Sequence, residues 1–424
     1  MSASLFSVTV LWVVGLLQRR RWPRIPTTVG ICIGMLLLQG WLLIANAQYL
    51  YDRAELRFVP LRPWVSGGWA PGAIDTMDCL PTMLNISGLL GILCVITDMA
   101  VAEVWRRRLL TTVLLTGIAL TVYGLTQHIL NQPLLLWDEA AMQHNLFATF
   151  YYHGNAGAFL NLLLPLAVAF VTETFSNRGA HGRRALSVVF LVLILAAQVE
   201  IASKAAMVVS GILLVSAGAI SIRYCVEKKL VRFRRLSLQL VAVSVLALSG
   251  IALFGLQHAA NRWAELPKLL HGPNARLSAW GVCLRMLPDA GAWGIGPANF
   301  MIAFPHYIKG LSMGPGVWEH AHQDYLETWI EWGWWGSAVW AVLIGGALVT
   351  AIKDGSSERR SDNQEDVLLN RFVGLSLAGL MLHALVDFPC QIPTIQLYAI
   401  VFTGILWSRR SRPPVSAGDG TSRC

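Results

Sequence analysis

Apolar runs of about 20 residues recur along this chain, and many of them are closed by a short basic loop. Such a run is what an α-helix needs to cross a hydrocarbon layer of about 30 Å, because in lipid the backbone must satisfy its own hydrogen bonds. Runs lie at 28–47, 82–104, 109–130, 156–175, 236–256, 325–352, 372–386 and 392–407. A shorter one, 5–17, is marginal for spanning unless its flanks contribute. Residues 185–220 are apolar apart from Gln198, Glu200, Ser203 and Lys204. One straight helix of that length would reach about 54 Å, so two helices with a tight connection near Ser203 are expected. Only 13% of residues are charged, against roughly 25% in a soluble domain. The expected fold is an all-α polytopic membrane protein with about 11–12 transmembrane helices, residues 1–424 forming a single membrane domain. The first run lacks a basic leader and a small-residue cleavage site, so no cleaved signal peptide is expected.

The net charge is +9. Loops at 18–27, 105–108, 176–184, 222–235, 351–371 and 408–424 hold most of the 33 lysines and arginines. By the positive-inside rule these loops face the cytoplasm. The assignment alternates down the chain and puts the long polar segment 257–323, the Lys204 connection and His322 on the other side. The positive charge then reflects topology and anionic lipid, not nucleic acid. Arg106, Arg107 and Arg108 are expected to end the span 82–104, inside which Asp98 faces the bundle interior or a cavity. The seven cysteines show no metal-ligand spacing. Cys79 and Cys283 fall on one side, where they could form a disulfide.

Segment 257–323 is rich in Trp, Leu and Pro and contains a periodic stretch, Leu277 to Met286. It is expected to be folded, partly helical and apposed to the membrane. It ends in EHAHQDYLETWIEWGWWG, residues 319–336. Tyr325, Leu326, Trp329, Ile330 and Trp332 follow a near-helical period, so His322 falls at or just before the start of a membrane helix. A neutral imidazole there can take a proton from a hydroxyl, or it can simply be solvated or cap the helix. Gly333 and Gly336 let another backbone come close. Arg276 can grip phosphate oxygens through parallel N–H bonds, unless it is an ordinary surface arginine. Lys204 is an ionisable group in an apolar region and so a candidate ligand; the structural alternative is an ion pair with Glu200, one turn earlier. In FYYHGNAGAF, residues 150–159, His153 can bind substrate or serve a turn. His383 and Asp387 stand one helical turn apart, and Asp387 can orient an imidazole or bond between helices. His320 and His322 could chelate a metal, but no third ligand has suitable spacing, so no metal is expected. Gly294-x-Gly296 lacks the strand and helix of a nucleotide fold, and no G-x-S-x-G is present.

His322-Gln323, followed by Gly333 and Gly336, resembles the signature of the O-antigen ligase and polymerase superfamily. Arg276, Trp280 and the glycine turn ending in Phe300 resemble the element preceding its histidine. Ser203-Lys204-Ala205 stands where the family commonly has Ser-Arg-Gly, which keeps the charge but loses the planar fork. Phe150, Asn155 and Ala158 fit the family's turn before a helix, and Asp387-Phe388 resembles its C-terminal element. The likeness covers roughly 145–407 and is strongest at 276–336. It implies an enzyme of the bacterial inner membrane with a periplasmic active site. The implied reaction moves a glycan from undecaprenyl diphosphate to an acceptor sugar hydroxyl, on lipid A-core for a ligase or on another lipid-linked repeat for a polymerase. A protein O-glycosylation enzyme would use Ser or Thr instead. His322 is then catalytic, Arg276 and Lys204 bind diphosphate, and His320, Gln323, Asn155 and Asp387 support them. No cofactor is needed, since the lipid diphosphate is already activated. From another class, a transporter of lipid-linked sugars would need polar residues along a path through the membrane.

Overall fold

The computed structural model describes residues 1–52, 55, 57–61, 71–130, 147–176, 181–228, 263–264, 276–308, 318–356 and 364–409. The span expected at 236–256 and parts of segment 257–323 lie outside the described residues. The described chain is helical almost throughout. Its helices are α1 (Ser2–Gln18), α2 (Thr27–Ala45), α3 (Cys79–Met99), α4 (Glu103–Leu130), α5 (His153–Ser176), α6 (His181–Ile201), α7 (Lys204–Glu227), α8 (Arg276–Ala290), α9 (Phe300–Tyr307), α10 (Asp324–Ser356), α11 (Gln364–His383) and α12 (Pro393–Ser408). Seven of them, α2 to α7 and α10, are long and apolar enough to cross a membrane, and α1 and α12 are shorter apolar helices. Helix α5 is 67% buried over its apolar window, against 33% for α2, α7 and α10. It is therefore the central helix, and α6, α7 and α11 pack around it.

The expected break in 185–220 is present. Helix α6 ends at Ile201, Ala202 takes φ 47°, and Ser203 caps α7 by accepting the Ala206 N–H at 3.4 Å. Glu200 pairs with Nε2 of His128 at 2.8 Å, a partner not foreseen for it.

One expectation about charge is corrected. Helix α3 stops at Met99, and the Arg106 to Arg108 triplet lies inside the first turns of α4. The turn is closed by Arg106, fully buried, which donates to Ala100 O at 3.0 Å and pairs with buried Asp366. Arg107 reaches Glu173 at 2.5 Å and Glu365 at 2.9 Å, tying α4 to α5 and α11. Asp98 faces the bundle interior, as expected: it is buried, takes Arg21 Nη2 at 2.5 Å, Trp12 Nε1 at 3.1 Å and the Arg24 N–H at 2.9 Å, and so pins the α1–α2 connection. These pairs gather the predicted basic loops at one end of the bundle. Cys79 and Cys283 are buried free thiols, so the disulfide conceived for them is absent.

Residues 48–81 also depart from a plain loop. Tyr49–Asp52 and Arg57–Pro60 form an antiparallel hairpin in the register Tyr49 to Pro60. Ile74 beyond it donates to Ile295 O at 3.0 Å, docking the hairpin against the segment that links α8 to α9. A second, smaller apolar core lies there, built from Val282, Cys283, Met286, Phe300, Phe304 and Ile330.

Helix α10 is broken at Gly333, with φ 66° and ψ −179°. In lipid a broken helix must place its freed polar groups elsewhere. Here five backbone groups near the break have partners outside the helix. Ile330 O and Glu331 O accept from the N–H groups of Ile295 and Gly296, each at 3.0 Å. Trp334 and Trp335 donate to Gly291 O and Ala292 O at 3.3 and 3.2 Å. Trp332 O accepts from Gln39 Nε2 at 2.7 Å. Gly333 lets the 292–294 backbone through, as expected, while Gly336 makes room for the Gln39 side chain rather than for backbone.

Candidate active site

At the opposite end of the bundle from the arginine pairs, the start of α10 is stitched to the turn after α11. Asp324 N–H donates to Ala384 O at 3.0 Å and to Asp387 O at 3.2 Å, and Cys390 N–H donates back to Asp324 Oδ2 at 2.9 Å. Gln323 Oε1 accepts the Leu326 N–H at 2.5 Å, so Gln323 is a helix cap. This stitching brings His322 and Asp387, 65 positions apart, to a His322 Nδ1 to Asp387 Oδ1 distance of 3.2 Å.

His322 sits just before α10, as its sequence position implied, and takes φ 52°. The left-handed region costs a non-glycine residue about 1–3 kcal/mol and is held only where neighbours over-determine it. The neighbours are at hand. Trp280 Nε1 donates to Ala321 O at 3.1 Å, and the Ala321 N–H donates to Glu327 Oε2 at 2.8 Å. The imidazole is edge-on to Phe388 at 4.8 Å and to Trp318 at 5.9 Å. Its side chain is 26% exposed while that of Asp387 is 2% exposed, so a molecule entering from outside meets the imidazole and not the carboxylate.

Arg276 opens α8 and turns back onto the same carboxylate. Its Nη1 donates to Val386 O at 2.6 Å, its Nη2 to Tyr152 Oη at 2.5 Å, and Nη2 stands 3.6 Å from Asp387 Oδ2. Five N–H donors are available to a guanidinium, and among the described residues two are used in these bonds. Burial pushes the Asp387 carboxyl up, but the His322 hydrogen bond and the Arg276 charge outweigh it and hold the group below the usual carboxylate range. Asp387 is therefore ionised. Tyr152 donates to Asp387 Oδ2 at 3.1 Å. Burial and the Asp387 charge both raise the phenol, so it stays protonated despite Arg276.

The remaining expected residues fall around this group. His153 opens α5 edge-on to Tyr152 at 4.6 Å. Asn155 is buried in the same turn, and its Oδ1 has no hydrogen-bond partner among the described residues. Gly154 lies against Asp387, and Gly157, one turn further, lies against Ser203. Lys204 thus starts α7 about one helical turn along α5 from Asp387. His383 Nε2 stands 4.0 Å from Asp387 Oδ2, beyond hydrogen-bond length, so the imidazole that Asp387 holds is that of His322. Tyr152 was not singled out in the sequence: nothing in FYYHGNAGAF distinguishes it from Tyr151 until α5 and α8 are packed.

His320 belongs to a separate pair. Its Nδ1 is 2.7 Å from Glu327 Oε1, and its ring stacks on Phe388 at 4.4 Å. Burial lowers its proton affinity, but the bond and charge of Glu327 prevail and raise it above the ordinary value. A histidine whose folded value is raised adds stability below its unfolded value of about 6.5, and loses it as pH climbs through the folded value. Unfolding midpoints should therefore fall across that interval in the wild type, and His320→Gln should flatten the slope. An unchanged slope would assign it to another group.

The arrangement can position a base, orient it by a buried carboxylate, and set a cation beside it. Residues 189–341 match the family model described as O-Antigen ligase, a stretch that includes Lys204, Arg276 and His322 but neither Tyr152 nor Asp387. No curated protein matches the chain. The chain is an all-α polytopic membrane protein, and the match over residues 189–341 supports a place for it in the O-antigen ligase and polymerase superfamily.

Proposed function

We propose that the protein is a glycosyltransferase of the O-antigen ligase type in the bacterial inner membrane. It moves a glycan from an undecaprenyl-diphosphate carrier to a sugar hydroxyl of lipid A-core on the periplasmic face. The observation that carries the reading is the His322–Asp387 pair at 3.2 Å with Arg276 on the same carboxylate. His322 Nε2 takes the proton of the acceptor hydroxyl. The hydroxyl oxygen bonds to the anomeric carbon as the bond to the diphosphate breaks, and the electron pair leaves with the lipid diphosphate. Arg276 and Lys204 stabilise the charge that grows there. A single displacement inverts the anomeric centre. The arginines gathered at the other end of the bundle, which the positive-inside rule assigns to the cytoplasm, support this sidedness. The grouping of His322, Asp387, Arg276 and Tyr152 at one end suits a one-sided enzyme better than a transporter.

Deleting the gene and resolving envelope polysaccharide on a gel tests the acceptor. Uncapped core with intact lipid-linked polymer is expected. Chains shortened to single repeats would make the protein a polymerase, and an unchanged envelope with undisturbed lipid-linked intermediates would refute the reading.

A further inference from the structure

We propose that Tyr152 is the positioning residue that fixes the direction of the hydrogen bonds around the base, and so holds neutral His322 with its proton on Nδ1 and its lone pair on Nε2. This deepens the reading of His322 as the base and rests on it. A guanidinium donates and cannot accept, so in the 2.5 Å contact Arg276 Nη2 is the donor and Tyr152 Oη the acceptor. The phenol proton is thereby left for Asp387 Oδ2, 3.1 Å away. An ionised carboxylate only accepts, so Nδ1 of His322 must be the donor in the 3.2 Å contact with Oδ1. Oδ1 also takes the Phe388 N–H at 3.2 Å. Both carboxylate oxygens are then engaged, and the carboxylate cannot swivel.

The phenol is well placed to hold this order. Its ring stacks on Phe388 at 5.4 Å with a 12° tilt, and Phe388 in turn flanks His322. A side chain at position 154 would press on both Tyr152 and Asp387, so glycine there keeps the two in contact. The other charged groups facing this end are already committed. Asp324 takes the Cys390 N–H, and Glu327 takes Ala321 N–H and His320. His383 lies 4.0 Å from Oδ2, too far to compete. With phenylalanine at 152 the stack survives but both bonds vanish. Oδ2 loses its hydroxyl donor, Arg276 loses an anchor, and the carboxylate is free to turn from His322.

The test combines kinetics with imidazole nitrogen NMR on the full chain in detergent micelles. In the wild type, neutral His322 should show the Nδ1–H form. Tyr152→Phe should mix the two tautomers and lower kcat roughly tenfold to a hundredfold, with acceptor KM moving less than about threefold. A wild-type spectrum dominated by Nε2–H overturns the proposal, and that measurement stands even if the variant does not fold. So does a folded Tyr152→Phe protein with wild-type kcat and tautomer. Full turnover after loss of His322 would instead bring down the base assignment, leaving the tautomer finding in place.

Discussion

Replacing His322 is expected to cut glycan transfer by about a hundredfold to ten-thousandfold, the range a positioned general base contributes. The choice of substitution matters because the backbone there has φ 52°. Alanine in the left-handed region costs about 1–2 kcal/mol, so His322→Ala mixes lost chemistry with lost stability. Asparagine visits that region more readily, and His322→Asn keeps the turn before α10. Both variants should bind the lipid-diphosphate donor like the wild type, since Arg276 and Lys204 are untouched. Asp387→Asn should fall nearly as far by another route. Its amide can offer an N–H to Nδ1 and so favour the tautomer with the proton on Nε2, the atom required as base. Transfer is measured in reconstituted vesicles with purified donor and acceptor. Near-normal turnover of folded His322→Asn would end the assignment.

How far the site could be read from the sequence depended on how local its causes are. The break at Ser203, the helix starting at Asp324 and the one starting at Arg276 are written in a few adjacent residues: a cap, an apolar period, a polar boundary. His322 stands out by its place at such a boundary together with the resemblance of 319–336 to the superfamily's signature, and Arg276 by the resemblance of the element around it. The bond between His322 and Asp387 has no local signature, because it depends on Asp324 being tied to residues 384 and 387 by backbone hydrogen bonds. Tyr152 joins only when α5, α8 and the turn after α11 converge. Charge misled where burial decided. Arg106 looked like a stop signal in a row of three arginines, but Asp366 lets it sit fully buried in α4. The hairpin at 49–60 was hidden by a composition that suits loops as well as short strands, and its neighbours Ile74 and Asp75 secure it.

The second large effect belongs to Gly333, which does no chemistry. Its φ of 66° with ψ near 180° is a region that is essentially restricted to glycine. A Cβ added there would lie 2.3 Å from Ala292 O and 2.5 Å from Gly294 N, both of them backbone. Neither strand can yield alone, because the same stretch carries the hydrogen bonds from Ile295, Gly296, Trp334 and Trp335 that satisfy the broken helix. Gly333→Ala must therefore strain the residue, push the two backbones apart and unpair groups buried beside lipid. A loss of about 3 kcal/mol or more is expected, with low yield of folded protein from membranes. Gly345→Ala is the control: it lies in the same helix, nothing stands within 4 Å of its added Cβ, and it should be neutral or stabilising by about 0.5–1 kcal/mol. Thermal unfolding of the purified pair in one detergent decides the matter. If Gly333→Ala unfolds at the wild-type midpoint, the close backbone crossing at 292–294 does not exist, and with it goes the register that carries α10 from the break back to His322.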